Sequence, residues 1–400
     1  MKDNYLNQNK FQRFLERGEP PLFYGRQLLS GDKNKKRVLA ILEGKVVPPY
    51  EVEIQPSSSC NLACEHCFGR YYTPLPNKIG NKELEIIANR IDEFQDNGFK
   101  IETVKFCGTT GEPLVNPATL HGIELFKNRG KNVMIFTNGL FLDKRTENTG
   151  LKYYDFVGSV DKLNLSLDAG SEKTFFDLKG KYGFDRIINS LGEIVKIREK
   201  RNKGLDLRVS YVIGEKNYED VARATKIVKD LGANEIIFRI DFTGTDKAIE
   251  LFETITDQVR KAKEYKSDSF KVIANYSEDE VLIGSHGINS PDKKCFNNNF
   301  WTCIGPDAEL YACGHRTYGG VKSFGSLLEN SFRDLWIGEE RKNAAKNLPD
   351  LCCKNCSPSS KIRNEIMNFF SGLTIEESKE LIENTDSITM DTEKEERIAS

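Results

Sequence analysis

The chain has 400 residues, a net charge of −2 and a mean hydropathy of −0.51, with 38% hydrophobic and 30% charged residues. That balance offers no bulk attraction to nucleic acid. No apolar run reaches the roughly eighteen residues needed to cross a membrane. Met1-Lys-Asp-Asn-Tyr5 lacks the apolar core of a signal peptide, so the sequence reads as cytoplasmic. Thiols stay reduced in that compartment. Ten cysteines, nine of them in three groups, then point to metal or redox chemistry rather than to disulfides.

Residues 1–49 read as a polar, helical cap, with Phe11, Phe14 and Leu15 on one small apolar face and a short helix at Lys36–Leu42. From 50 to 242 strands and helices alternate. The strands are Val52–Gln55, Val104–Cys107, Asn132–Thr137, Lys162–Leu167, Asp206–Ile213 and Glu235–Ile240. The helices are Asn81–Asn97 with Gly98 as its stop, Leu120–Asn128, Phe184–Lys200 and Tyr218–Leu231. Alternation of this kind predicts a parallel sheet covered by helices, with sites at the C-terminal ends of the strands. Residues 243–294 read as a connection, with a helix around Ala248–Lys263 and a strand-like Phe270–Asn275. A second cysteine-bearing unit spans 295–356. In 357–400 a helix at Lys361–Phe370 precedes a Thr374/Glu377 capping box for Ile375–Glu383. The acidic tail has a composition that predicts disorder.

Cys60-Asn-Leu-Ala-Cys64-Glu-His-Cys67 follows the first strand. Three thiolates on one loop can hold three irons of a [4Fe–4S] cube and leave the fourth open. A zinc knuckle and three unrelated core cysteines are the plainer alternatives. Phe106-Cys-Gly-Thr-Thr-Gly-Glu-Pro113 closes the second strand and, alone, is an ordinary turn. Thr137-Asn-Gly139 closes the third. There Asn138 either orders the turn beside a site or makes a plain Asn-Gly turn. Alternation along Leu163–Ala169 turns Ser166 and Asp168 away from Leu165 and Leu167, toward the lumen of a barrel. Asp168 can instead cap a helix from Ser171 onward. Arg208, Ser210 and Val212 share a face. Arg239, ending the sixth strand, faces either an anionic ligand or the surface. Cys107 reads as a small buried apolar residue.

The cysteine run resembles the C-x3-C-x-φ-C signature of the radical S-adenosylmethionine (SAM) enzymes, with His66 at the aromatic φ position. The resemblance implies a partial (β/α)6, TIM-like α/β barrel and a [4Fe–4S] cluster on Cys60, Cys64 and Cys67. It also implies SAM bound at the open iron, reductive cleavage to a 5′-deoxyadenosyl radical, and removal of a hydrogen atom from substrate carbon. A flavodoxin- or ferredoxin-type protein would donate the electron. Thr110, Gly111, Glu112 and Pro113 match the family's G-G-E-P motif, which holds the SAM amino group; Thr110 replaces its first glycine. Asn138, Ser166, Asp168 and Ser210 match positions near SAM or substrate, and an inward Arg239 would meet the SAM carboxylate or an anionic substrate.

Cys295 and Cys313 flank a hairpin around Pro306-Asp-Ala308, and Cys352, Cys353 and Cys356 end the unit. This order resembles the "twitch" half of the SPASM extension, a small cluster domain. It implies one auxiliary [4Fe–4S] cluster on Cys295, Cys313, Cys353 and Cys356, with Cys303 and Cys352 spare and Ala308 where a glycine is usual. Zinc is the rival occupant, since Cys353 and Cys356 have its spacing. A closed auxiliary cluster can accept the second electron of a two-electron oxidation. The resulting reading is an enzyme acting on a ribosomal peptide or protein side chain. A sugar or aminocyclitol alcohol dehydrogenase and a non-catalytic zinc or iron–sulfur scaffold are the alternatives.

Overall fold

The computed structural model describes residues 10–11, 25, 28–201, 204–241, 250–274, 294–352 and 358–384. Helix α1 (Gly31–Leu42) leads into β1 (Glu51–Ile54). Then come α2 (Asn81–Glu93), a hairpin of β2 (Gln95–Asp96) and β3 (Phe99–Lys100), β4 (Thr103–Phe106), α3 (Ala118–Asn128) and β5 (Asn132–Thr137). They are followed by α4 (Tyr153–Val157), β6 (Lys162–Ser166), α5 (Glu172–Lys179), α6 (Phe184–Arg201), β7 (Asp206–Ile213), α7 (Val221–Asp230) and β8 (Glu235–Ile240). The remainder holds α8 (Phe252–Lys263), β9 (Lys271–Ala274), β10 (Trp301–Ile304), β11 (Leu310–Tyr311), α9 (Phe332–Ile337), α10 (Glu339–Cys352), α11 (Pro358–Ser371) and α12 (Ile375–Glu383).

One open sheet runs in the order β11-β10-β1-β4-β5-β6-β7-β8-β9. Every pairing in it is parallel except β10 with β11. The six expected strands sit consecutively at its centre, each pair joined through helical segments, as a partial α/β barrel requires. Two additions flank them. β9 extends the β8 edge, and the hairpin of the second cysteine unit lies parallel against β1, with Cys303 opposite Glu53.

Alternation explains what each face does. Val52, Ile54, Val104, Phe106, Val133, Ile135, Leu163, Leu165, Leu207, Val209, Ile236 and Phe238 are buried in one core with Leu84, Ile87 and Ile91 of α2 and Ile187, Leu191 and Ile194 of α6. The intervening residues make a polar inner face. Along it Lys105 pairs with Glu51 (3.0 Å) and Glu53 (2.8 Å), and Lys162 pairs with Asp206 (2.5 Å) and Glu235 (3.1 Å). Burial pushes the Glu53 carboxyl up, but the charge of Lys105 together with hydrogen bonds from Cys107, Lys105 and Gln55 holds the group down at about 2. This ladder of opposite charges lines part of the lumen.

Two expected elements are corrected. The helix from Asn81 stops at Glu93, not Asn97. Asn97 (φ 49°) and Gly98 (φ 79°) both take left-handed conformations and turn the chain into the β2–β3 hairpin. The strand from Lys162 stops at Ser166, because Asp168 adopts φ 57° and breaks the alternation that was to carry it inward. The hairpin turn between β10 and β11 does require a left-handed residue, and Ala308 supplies it at φ 60°.

A second, smaller core joins Phe11 and Val38 to Ile362, Ile366, Phe370 and Leu381, so the two ends of the described chain pack together. Phe14 and Leu15 lie outside the described residues. Thr374 and Glu377 make the expected reciprocal cap of α12. The acidic tail beyond residue 384 also lies outside the described residues. Among the described residues, no helix is long and apolar enough to cross a membrane.

Candidate active site

The cysteine loop leaves β1 and is fastened on three sides. Asn116 Nδ2 donates to the carbonyls of Pro56 (2.8 Å) and Ile79 (2.7 Å), fixing the entry. The Glu112 amide donates to the Ser59 carbonyl at 2.9 Å. Beyond Cys60, the amides of Ala63 and Glu65 donate to the carbonyls of Lys179 (3.3 Å) and Leu178 (3.2 Å) at the end of α5. Cys60, Cys64 and Cys67 are free thiols, Cys60 exposed and the other two half-buried. Burial raises Cys60, and raises Cys64 to about 11. Lys179 opposes the shift at Cys64, while Asp168 and the neighbouring thiols add to it. Repulsion between the three as thiolates adds to these shifts, and a bound cation would reverse it. Among the described residues, no three His, Cys, Asp or Glu side chains already surround a single metal position.

The Gly108–Pro113 loop closes on the cysteine loop backbone to backbone. An ideal Cβ on Gly111 would lie 2.2 Å from the Ser57 carbonyl oxygen, and one on Gly69 would lie 2.3 Å from that of Thr109. Gly111→Ala is therefore expected to force the loops apart, costing about 1–3 kcal/mol and lowering iron uptake and SAM binding together. Thermal melting combined with an iron assay checks this. Glu112 is 4% exposed. Its carboxylate accepts from Leu114 N (3.1 Å), Thr137 Oγ1 (2.5 Å) and Asn138 N (2.8 Å), tying the ends of β4 and β5. Burial pushes its carboxyl up to about 7 against those three bonds. Pro113 opens a short 3-10 turn that Glu112 caps. Asn138 links its own turn to the cysteine loop. Its Oδ1 accepts from Leu140 N (3.0 Å) to close the turn, and its Nδ2 donates to Asn61 Oδ1 (2.7 Å) on the cysteine loop.

Asp168 does not cap the following helix. Ser171 does, accepting from Thr174 N at 3.2 Å. Asp168 is 2% exposed and holds the buried ammonium of Lys179, the Val212 amide (2.7 Å) and His66 Nε2 (3.4 Å). Burial alone would raise its carboxyl, but Lys179 and His66 drive it well below the usual carboxylate range. Ser166 offers its carbonyl to Lys179 at 3.3 Å. Deeper in the lumen Arg239 Nη1 donates to Ser210 Oγ (3.3 Å), which donates to Asn164 Oδ1 (2.9 Å), so Arg239 turns inward rather than to the surface. Asn61, Thr137, Asn164 and Lys179 were not identified from sequence. Asn61, Thr137 and Asn164 lie within stretches already singled out, whereas Lys179 carried no signal.

The second cysteine group reaches the same mouth from the β10 side. The Gly314 carbonyl, beside Cys313, accepts from Thr109 Oγ1 at 2.5 Å. Tyr318 stacks on Tyr72 with ring centroids 4.1 Å apart, and Gly319 N donates to the Thr73 carbonyl at 2.7 Å. Cys303 is buried with its sulfur 3.8 Å from Glu53 Oε1. Cys295 is half-buried, and burial of the neighbouring Arg341 lowers that guanidinium to about 10 against the charge of Cys295. Cys353 and Cys356 lie outside the described residues.

The sequence model of the radical SAM superfamily matches residues 54–255, which covers the cysteine loop and the strands that carry the other site residues. The chain belongs to the radical SAM superfamily. The chain is 27% identical over 191 residues to a probable GTP 3′,8-cyclase of Saccharolobus islandicus, covering 47% of this chain and 56% of that protein. The chain therefore spans little more than half the length of those first relatives. A longer match, 21% identical over 324 residues, covers 80% of this chain and 78% of the mycofactocin maturase MftC of Mycobacterium tuberculosis. The fold is similar to Streptococcus suis SuiB bound to S-adenosylmethionine, with a TM-score of 0.57, 16% identity, and coverage of 81% of this chain and 74% of that one. SuiB bound to the precursor peptide SuiA gives 0.54 and 17%, covering 78% and 70%.

Radical SAM enzymes bind a [4Fe–4S] cluster and SAM, and the residues present fit both. Thr110 Oγ1 and Asn61 Nδ2, on the two interlocked loops, are buried without a hydrogen-bond partner. Such orphaned atoms each cost about 1–3 kcal/mol, and a polar cofactor against these loops would satisfy them. Cys60, Cys64 and Cys67 supply the sulfur set that such a cluster takes.

Proposed function

We propose that this radical SAM enzyme modifies a side chain of a ribosomally made peptide or protein, and that a second [4Fe–4S] cluster assists the oxidation. The match to a maturase carries this reading. At 324 residues it must run well beyond the 54–255 region, whereas a 191-residue match such as that to the cyclase need not. The likeness to SuiB over 78–81% of the chain supports it at the level of fold. On this reading residues 1–49 are a cap, 50–242 the barrel, 243–294 a connection, 295–356 the auxiliary unit and 357–400 an extension. Cys295, Cys313, Cys353 and Cys356 would hold the auxiliary cluster.

When bound, the first cluster and SAM supply a one-electron cleavage whose carbon radical takes a hydrogen atom from substrate. The protein's own groups do the positioning. Cys60, Cys64 and Cys67 would hold iron. The Thr110–Pro113 backbone and Glu112 would receive the SAM ammonium, with Asn138 fixing the adjoining turn. Ser166, Ser210 and Arg239 line the lumen where the rest of SAM and the substrate would lie. The hydrogen bond from Thr109 to Gly314 and the Tyr72–Tyr318 stack would keep the auxiliary unit beside the radical. A flavodoxin- or ferredoxin-type protein is the expected electron donor.

Anaerobic reconstitution tests the scheme. About eight irons per chain are expected from two cubes, with release of 5′-deoxyadenosine from SAM under dithionite. Cys353→Ala should lose about four irons, keep uncoupled SAM cleavage and lose product. Zinc in place of iron overturns the whole scheme, and unchanged turnover in Cys353→Ala removes the auxiliary cluster from it. Comparing peptides and small metabolites from a strain lacking the enzyme tests the substrate class. An unmodified aminocyclitol or sugar accumulating in place of a peptide overturns the peptide reading.

A further inference from the structure

Lys179 is the last residue of α5, just before Gly180 turns the chain at φ 72°. Its side chain is 2% exposed, unusual for a lysine. The ammonium donates to the Asp168 carboxylate and to the Ser166 carbonyl at 3.3 Å. Its own carbonyl and that of Leu178 receive the amides of Ala63 and Glu65, inside the three-cysteine loop. His66, in that same loop, sits 3.4 Å from the same Asp168 oxygen. Lys179 therefore meets the loop through backbone and through charge. Burial works to discharge it, and the Asp168 carboxylate leads the interactions that keep it protonated.

The balance of charge around the loop is lopsided. The loop carries three cysteine sulfurs that are negative when they hold a metal; the buried Asp168 carboxylate contacts His66 within it, and the buried Glu112 is tied to its entry at Ser59. Adding an electron to a cluster there adds one more negative charge. Lys179 is itself shielded from water, so a fixed cation there offsets added charge more than an exposed one would, and cluster potentials respond to local charge and burial. We propose that Lys179 is a positioning residue whose buried ammonium raises the reduction potential of the SAM-binding cluster, with Asp168 setting how much of that charge the cluster feels. The inference rests on superfamily membership alone, so it stands or falls separately from the peptide reading.

The test is an electron-paramagnetic-resonance redox titration of the anaerobically reconstituted enzyme, with iron counted in every sample. Lys179→Met should retain iron yet shift the midpoint potential to a more negative value, and Lys179→Arg should restore it toward the wild type. Asp168→Asn can still accept from the Val212 amide while losing its charge, and should shift the potential the opposite way. A purely structural role predicts shifts of one sign in both variants, or none. Either result overturns the proposal. If Lys179→Met fails to load iron, Asp168→Asn decides alone, and a potential that does not rise overturns it.

Discussion

Cys60→Ala should leave a folded protein that has lost the SAM-binding cluster, about four irons per chain, and with it all 5′-deoxyadenosine formation. The reasons are local. Cys60 is exposed and contributes to neither hydrophobic core, and its sulfur approaches side chains at long range, 4.0 Å to Asn61 Oδ1 and 3.9 Å from Asn138 Nδ2. Removing a surface group of this kind costs within about 0.5 kcal/mol, so melting temperature and circular dichroism should hardly change. Cys107→Ala is the informative contrast. That thiol is 8% exposed beside Glu53 and Lys105, and burial pushes it well above the usual thiol range. Its loss should cost stability and leave both iron content and SAM cleavage intact. A Cys60→Ala protein that kept its iron and still cleaved SAM would sink the assignment of the loop.

Much of this arrangement was legible in the residues, for identifiable reasons. Strict alternation in Val52–Ile54 and Val133–Ile135, with the 3.6-residue spacing of Leu84, Ile87 and Ile91, records burial directly, so the strands and their covering helices could be read. The three thiols were legible because their spacing has few uses. What escaped depended on backbone conformation or on distant partners. Asn97-Gly98 is a strong hairpin signal, but it was read as a helix stop because helical periodicity ran up to it. Nothing in Leu167-Asp-Ala169 announces that Asp168 takes φ 57°, so its pairing with Lys179, eleven residues on, was invisible. The docking of β10 on β1 joins residues some 250 positions apart, beyond the reach of any local pattern. Thr110 was noted as a departure from glycine. Its buried, unpartnered hydroxyl shows that the substitution adds a polar group at the site rather than merely tolerating a side chain.

Glu112→Gln should produce a stability change whose size depends on pH, together with a loss of SAM affinity. The carboxyl ionises near 4.3 in an unfolded chain but is pushed up to about 7 by burial in the folded protein. A folded value above the unfolded one means that the protonated group favours the fold. This contribution is complete below about pH 4, shrinks as the unfolded carboxyl ionises, and is gone once pH passes about 7. Across that window the SAM-free protein should lose on the order of 3 kcal/mol from this group. Glutamine cannot ionise, so the variant lacks this slope. It incurs a fixed cost instead, because its single acceptor oxygen can keep Leu114 N and Thr137 Oγ1 while its amide nitrogen confronts the Asn138 N–H. That mismatch costs about 1–3 kcal/mol. The variant should therefore be clearly less stable than the wild type at pH 5, and equal or more stable at pH 8. Because other titrating groups are common to both proteins, the difference between their melting curves isolates this one. In the reconstituted enzyme the same substitution removes the negative charge that would face the SAM ammonium. Loss of a charge-assisted hydrogen bond of about 1.5–3 kcal/mol corresponds to at least a tenfold weaker equilibrium affinity for SAM. A stability gap that stays constant from pH 5 to pH 8 would show that the carboxylate is already fully compensated within the protein. Unchanged SAM affinity would show that the ammonium is held elsewhere.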